Sequence, residues 1–189
     1  MPSPNADQPA PVSNPDLVAP GLADSLSTWL TGCTRLSVMA VGSRLRGDDA
    51  AGLLTTVLLR RQLARRRAAM EVLLVAGDTA PENVTGQIKH FRPTHLLILD
   101  AADTGRTPGH IDQVDPNSLS SNLSANSHSL PIKMVIEYIH HYAPCAVTIV
   151  GIQPQSIRFG ERVNLPVRTA CRQLAGLLAG VMAQKTRTV

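Results

Sequence analysis

Two adjacent carboxylates, Asp48 and Asp49, stand between an apolar run at 36–42 and an apolar helical stretch that starts at Ala50. A third, Asp100, closes the apolar run 95–100, and His128 sits near the end of a segment rich in Ser and Asn. In an open α/β sheet, ligands bind outside the carboxyl ends of the parallel strands. Acids at that address are candidates for holding a metal or phosphate, or for moving a proton. Adjacent parallel strands set their carboxyl ends side by side, so Asp49 and Asp100 are expected to share a cleft that the loop bearing His128 can reach. Two carboxylates and an imidazole suit a borderline transition ion such as nickel or zinc. Plainer roles exist for each. An Asp at a helix start often serves as an N-cap, and Asp48 is open to both readings. Asp100 could cap a turn, and a lone loop histidine is commonly just solvated. Asp49 and His128 are expected at solvent-facing ends of their elements, outside the core.

The elements that must position these residues follow from periodicity and punctuation. Residues 20–31 read as a short amphipathic helix with Leu22, Leu26, Trp29 and Leu30 on one face, ended by Gly32. A strand over 36–42 leads to a helix over about 49–66, and a second strand over 71–76 closes at Gly77-Asp78. Pro81 opens a third helix, since proline is tolerated in a first turn. The run 95–100 is almost wholly apolar, as a strand buried on both faces should be. A half-polar strand at 110–114, between Pro108 and Pro116, suits a sheet edge. The loop 117–129 is long enough to suggest a functional role. A helix over 130–142, a strand over 146–152 and a closing helix over 165–185 complete the chain. Strands alternating with helices predict an α/β fold in three layers: a mostly parallel, five-stranded twisted sheet with helices on both faces. Residues 1–19, rich in Pro, Ser and Asn, read as a disordered tail, and 20–189 as a single domain.

Composition narrows the class. The chain is 43% hydrophobic but only 3% aromatic, so the core must be aliphatic. No apolar run approaches the roughly 18 residues of a membrane span, and no secretory signal is recognisable at the N-terminus. Cys33, Cys145 and Cys171 are scattered and form no zinc or redox motif, which favours a reducing cytoplasm. A net charge of +4 is concentrated at Arg60, Arg61, Arg65, Arg66 and Arg67. Without aromatic interleaving or a nucleic-acid module, that cluster reads as a solvated helix end and not a nucleic-acid dock.

The pattern Ala40-Val41-Gly42-Ser43, then Gly47-Asp48-Asp49-Ala50-Ala51-Gly52, resembles the opening of the endopeptidases that mature nickel–iron hydrogenases. Thr79-Ala80-Pro81-Glu82-Asn83, Pro93-Thr94-His95-Leu96-Leu97-Ile98-Leu99-Asp100-Ala101, Ser127-His128-Ser129-Leu130-Pro131 and Gly151-Ile152-Gln153-Pro154 resemble further blocks of the hydrogenase-3-type branch. The resemblance runs in register over about 36–183. It implies a sheet flanked by helices, and a metal-recognition and catalytic site at Asp49, Asp100 and His128. It also implies an aspartic-type peptidase grouping, and an activity that removes the C-terminal extension of a hydrogenase large-subunit precursor once nickel is in place. The nickel would be carried by the substrate, with no permanently bound cofactor, no nucleic acid and no membrane insertion. Three positions depart from the family pattern. Ser43 stands where Asn is usual, Ala50 where Gly is common, and Asp78 where a second Gly normally follows Gly77. Asp78 adds a carboxylate at a neighbouring strand end, either changing the cleft's charge or serving as an extra ligand.

Other readings use the same residues. A nickel-sensing hydrogenase assembly chaperone without catalytic activity would need the same three ligands. A phospho-accepting receiver domain also pairs acids after strand one with an Asp after strand three, but its pair ends the strand directly. It also needs a late Lys where this chain has Gln153-Pro154. Asp103-Thr104-Gly105 matches the pepsin tripeptide, yet a single copy in an α/β chain reads as a turn. No G-x-G-x-x-G loop follows strand one, so a dinucleotide site is disfavoured.

Overall fold

The two most apolar runs form the inner strands β1 (Arg35–Val41) and β3 (His95–Ala101), and every residue of β3 is buried. A computed structural model describes residues 17–114 and 129–184. It completes the sheet with β2 (Glu71–Asp78), β4 (Ile111–Val114) and β5 (Ala146–Ile152) in the order β2-β1-β3-β5-β4. β1 pairs in parallel with β2 and β3, and β3 with β5, while the half-polar β4 runs antiparallel along the edge of β5. This is the mostly parallel, five-stranded α/β sheet that the alternation of elements predicts.

Side-chain alternation along each strand divides the core into two layers. Leu36, Val38, Leu97, Leu99 and Val150 meet α1 (Leu22–Trp29), α2 (Ala51–Leu63) and α5 (Leu165–Ala183) on one face. Met39, Val41, Leu96, Ile98 and Ile149 meet α3 (Thr85–Phe91) and α4 (Ser129–Tyr142) on the other. Leu36, Leu96 and Ile98 are fully buried, each contributing about 1.5–3 kcal/mol relative to exposure. By the same alternation Asp100 faces the α3/α4 layer, with Leu96 and Ile98.

Several boundaries differ from the sequence reading for local reasons. Asp48 and Asp49 lie in a 3-10 turn, Gly47–Ala50, and α2 proper begins only at Ala51. Pro81–Val84 is likewise a 3-10 turn ahead of α3. β2 continues to Asp78 because the register shifts between Ala40 and Val41, so that Val41 pairs with Asp78 across a bulge. Asp100 is the penultimate residue of β3, not its end. The tail boundary also moves. Val18 bridges to Ile111, the Ala19 N–H donates to the Ile111 carbonyl at 3.0 Å, and Leu17 is buried. Residues 17–19 therefore extend the β4 edge, and the expected disorder of 1–16 falls outside the described residues. Among the described residues, no helix is long and apolar enough to cross a membrane.

Candidate active site

Two glycines allow the acids to approach one another. Gly42 has φ +123°, and a Cβ added there would lie 1.8 Å from the Asp49 carbonyl oxygen. At Gly52 an added Cβ would lie 2.2 Å from the Leu99 carbonyl oxygen. The start of α2 thus rests directly on the end of β3, which carries the Asp49 turn to Asp100. Asp49 accepts the Ser43 N–H at 2.8 Å, and Asp100 accepts the Ala101 N–H at 2.8 Å. Both acids are buried, at 2% and 3% exposure, so Asp49 is not at the solvent-facing position the sequence suggests. Burial pushes the Asp100 carboxyl up to about 7, against the lowering effect of its Ala101 hydrogen bond and with the Asp49 charge adding to the rise. A buried acid titrating near neutrality beside a second carboxylate is able to exchange a proton or receive a cation.

His128 lies outside the described residues. The next residue, Ser129, begins α4, and α4 packs on the sheet face toward which Asp100 points. Among the described residues, no three His, Cys, Asp or Glu side chains gather as a ligand set.

Asp48, next in the chain to Asp49, does something the sequence reading did not find. It caps neither its own 3-10 turn nor α2. Its Oδ2 accepts the N–H groups of Gln155 (2.8 Å) and Ser156 (3.0 Å) and the Asn164 side-chain amide (3.1 Å). Its Oδ1 accepts the Asn164 N–H at 2.6 Å. The Asp48 N–H in turn donates to the Ser156 carbonyl at 2.9 Å. This fully buried carboxylate fastens the segment between β5 and α5 to the turn that carries Asp49. Gln153 is a second buried organiser. Its Oε1 accepts the Thr104 and Arg106 N–H groups at 2.7 and 3.2 Å, shaping the loop after β3. The same loop holds Asp103-Thr104-Gly105 as a turn, with the Gly105 N–H donating to the Asp103 carboxylate.

A family model described as hydrogenase maturation protease matches residues 57–180. The Hydrogenase 3 maturation protease of Escherichia coli K12 is 32% identical over 146 residues, covering 76% of this chain and 88% of that protein. The chain belongs to the hydrogenase maturation protease family. The crystal structure of a nickel–iron hydrogenase maturation protease from Thermococcus kodakarensis superposes with a TM-score of 0.74 at 28% identity, covering 85% of this chain and 99% of that one. The solution structure of an E. coli endopeptidase of the same family gives 0.66 at 30% identity over 78% and 90%.

Within this maturation-protease framework, the departures at Ser43 and Asp78 have local explanations. Ser43 supplies the backbone N–H to Asp49, a contact independent of its side chain, while its hydroxyl accepts the Leu45 N–H at 3.3 Å. Asp78 has φ +48°, a left-handed conformation in which glycine is the less strained residue. Its carboxylate accepts from Arg44 Nε at 3.1 Å in a half-exposed pair. The protease's cysteines are unsuited to nucleophilic attack, which needs the thiolate. Burial raises Cys33, and pushes Cys145 and Cys171 up to about 11. Cys171 does lie nearer the acids than the sequence layout implies: its Sγ donates to the Ala51 carbonyl at 3.4 Å.

Proposed function

We propose that this chain is an endopeptidase that removes the C-terminal extension of a nickel–iron hydrogenase large-subunit precursor after nickel insertion, recognising the bound nickel through Asp49, Asp100 and His128. The observation that carries this reading is the buried acid pair, with Asp100 titrating at about 7 beside Asp49. Two carboxylates in a poorly hydrated cleft are uncomfortable together unless a proton or a cation joins them. A nickel ion brought by the precursor favours the ionised form of Asp100 and offsets that cost. His128, as the neutral imidazole, completes the donor set.

The nickel is part of the substrate, so it anchors the scissile peptide beside the acids and serves as the signal that insertion is finished. The attacking water is activated either by an acid of the pair as general base or by the substrate's nickel, and neither route assigns a role to a Ser or Cys nucleophile; an aspartic-type grouping follows from the first route. The protein would work in the cytoplasm, where the precursor is assembled.

Incubating the purified protein with nickel-loaded and nickel-free precursor, followed by intact-mass measurement, tests the reading. The expected result is one cleavage near the C-terminus of the nickel-loaded form alone. Equal cutting of both forms contradicts metal-guided recognition. Tight binding without any change in mass supports the assembly-chaperone reading instead.

A further inference from the structure

Among the described residues, large exposed hydrophobic side chains fall into few places, and three of them, Leu45 (62%), Phe159 (77%) and Leu165 (62%), lie on segments fastened to Asp48. Leu45 belongs to the turn between β1 and Asp49, Phe159 to the segment after β5, and Leu165 opens α5 beside Asn164. The first two segments are joined by a backbone bond, the Gly160 N–H donating to the Leu45 carbonyl at 2.8 Å, and by the Arg46 side chain, whose Nε donates to the Ile157 carbonyl at 3.3 Å. With Asp48 gripping residues 155, 156 and 164, Phe159 projects from a braced turn. Exposing one of only two phenylalanines in the chain on such a support is unfavourable in isolation, and marks a surface that is covered in use.

Charge states what covers it. Arg46, Arg158, Arg162 and Arg168 are exposed around these apolar groups. Asp78, at the end of β2, pairs with Arg44, and Glu161 is the one exposed acid on the segments themselves, its carboxylate accepting the Ser156 hydroxyl at 2.5 Å. Cations therefore outnumber exposed acids on the segments that carry the three apolar side chains.

We infer that the Leu45–Phe159–Leu165 rim docks the folded body of the substrate protein through an apolar hollow bordered by carboxylates, separately from the cleft that receives the scissile peptide. This rests on the proposed function for the identity of the partner. The rim's arginines steer the encounter and Phe159 holds the complex, so binding has a salt-dependent component and an apolar anchor.

The test measures binding of the nickel-loaded large-subunit precursor from the same organism to the wild-type protein and to Phe159→Ala, Arg158→Glu and Tyr138→Ala, by titration at low and high salt. Tyr138 is the control, since it is exposed on α4 with Met134 and Tyr142, and α4 packs on the sheet face opposite the one that holds α5. Phe159→Ala should weaken binding about tenfold or more, with an unchanged melting temperature because its side chain is exposed. Arg158→Glu should weaken it most at low salt and less at high salt. Tyr138→Ala should stay within about twofold of wild type, the range of most interface residues outside a hot spot. Wild-type affinity in Phe159→Ala and Arg158→Glu, a loss confined to Tyr138→Ala, or no binding by the wild type overturns the inference. If the wild type binds through the rim but leaves the precursor's mass unchanged, docking stands and the endopeptidase reading falls.

Discussion

Asp48 and Asp49 are neighbours in the chain and opposites in the fold. Asp48 is surrounded by donors, with three backbone N–H groups and an amide converging on its two oxygens. Its charge is stabilised and has no further partner to seek. Asp49 and its neighbour Asp100 are as deeply buried, and burial, with the Asp49 charge adding to it, pushes the Asp100 carboxyl up to about 7. Burial alone therefore does not distinguish a structural acid from a reactive one. The distinction lies in what offsets the burial: four N–H donors around Asp48, against the Ala101 N–H at Asp100, where burial dominates and the Asp49 charge adds to it.

Removing the Asp48 carboxylate should be the most damaging change to the fold. Asp48→Ala leaves several buried N–H groups without an acceptor and should cost on the order of 4 kcal/mol, read from urea unfolding. Had Asp48 been an N-cap, asparagine would serve nearly as well. The observed contacts reverse that expectation, because an Asn amide would turn N–H donors against N–H donors, and Asp48→Asn should still cost about 2 kcal/mol. An Asn variant as stable as wild type would erase the contrast between the two neighbours.

Asp100 should show the opposite sign. Its folded pKa of about 7 lies above the ordinary 3.8, so the native state favours the protonated form. Stability from this source is intact below pH 3.8 and is lost as pH rises through about 7. Asp100→Asn, neutral throughout, should flatten the profile and gain on the order of 2–4 kcal/mol over wild type near pH 8, while losing processing. Chemical denaturation at intervals from pH 4 to 8 measures this, and parallel profiles for the two proteins would place Asp100 among ordinary acids.

Asp49→Asn sharpens the comparison from the functional side. The Asn oxygen can still accept the Ser43 N–H, so stability should change by about 1 kcal/mol or less, yet precursor processing should vanish. His128→Ala should likewise abolish processing without unfolding the domain. Retained cleavage in Asp49→Asn, together with loss in a folded Asp48→Asn, would exchange the roles assigned to the pair. The smallest effect is expected from the thiols. Cys33→Ser, Cys145→Ser and Cys171→Ala combined should leave cleavage intact and cost about 1–2 kcal/mol, mostly from the space opened behind Ala51. A folded but inactive triple variant would reinstate a thiol mechanism.

Features set by local pattern were legible in the sequence. The apolar runs of β1 and β3, the glycine-flanked acid turn and the half-polar edge β4 each carry their own periodicity and punctuation, and the meeting of Asp49 with Asp100 follows once their strands are adjacent. Other features depend on distant partners. The donors that define Asp48 lie 107 to 116 residues away, so nothing near Asp48 announces them. Gln153 is read from sequence as part of a family block and as standing where a receiver needs lysine, but neither reading shows that it organises the loop after β3. Phe159 sits in a segment without periodicity, and its exposure depends on the backbone bond from Gly160 to Leu45. The left-handed Asp78 reflects a bulge that only strand pairing reveals.

The Asp48 clasp also bears on when this protein acquires its activity during synthesis. The turn carrying Asp49 leaves the ribosome early, but the residues that brace it follow by as many as 116 positions. At ribosomal elongation rates that interval is on the order of ten seconds. Over that time β5, which lies between β3 and β4 in the sheet, is also missing from the emerged chain. A nascent or truncated copy therefore carries the Asp49 turn without its brace until the chain has been made as far as Asn164.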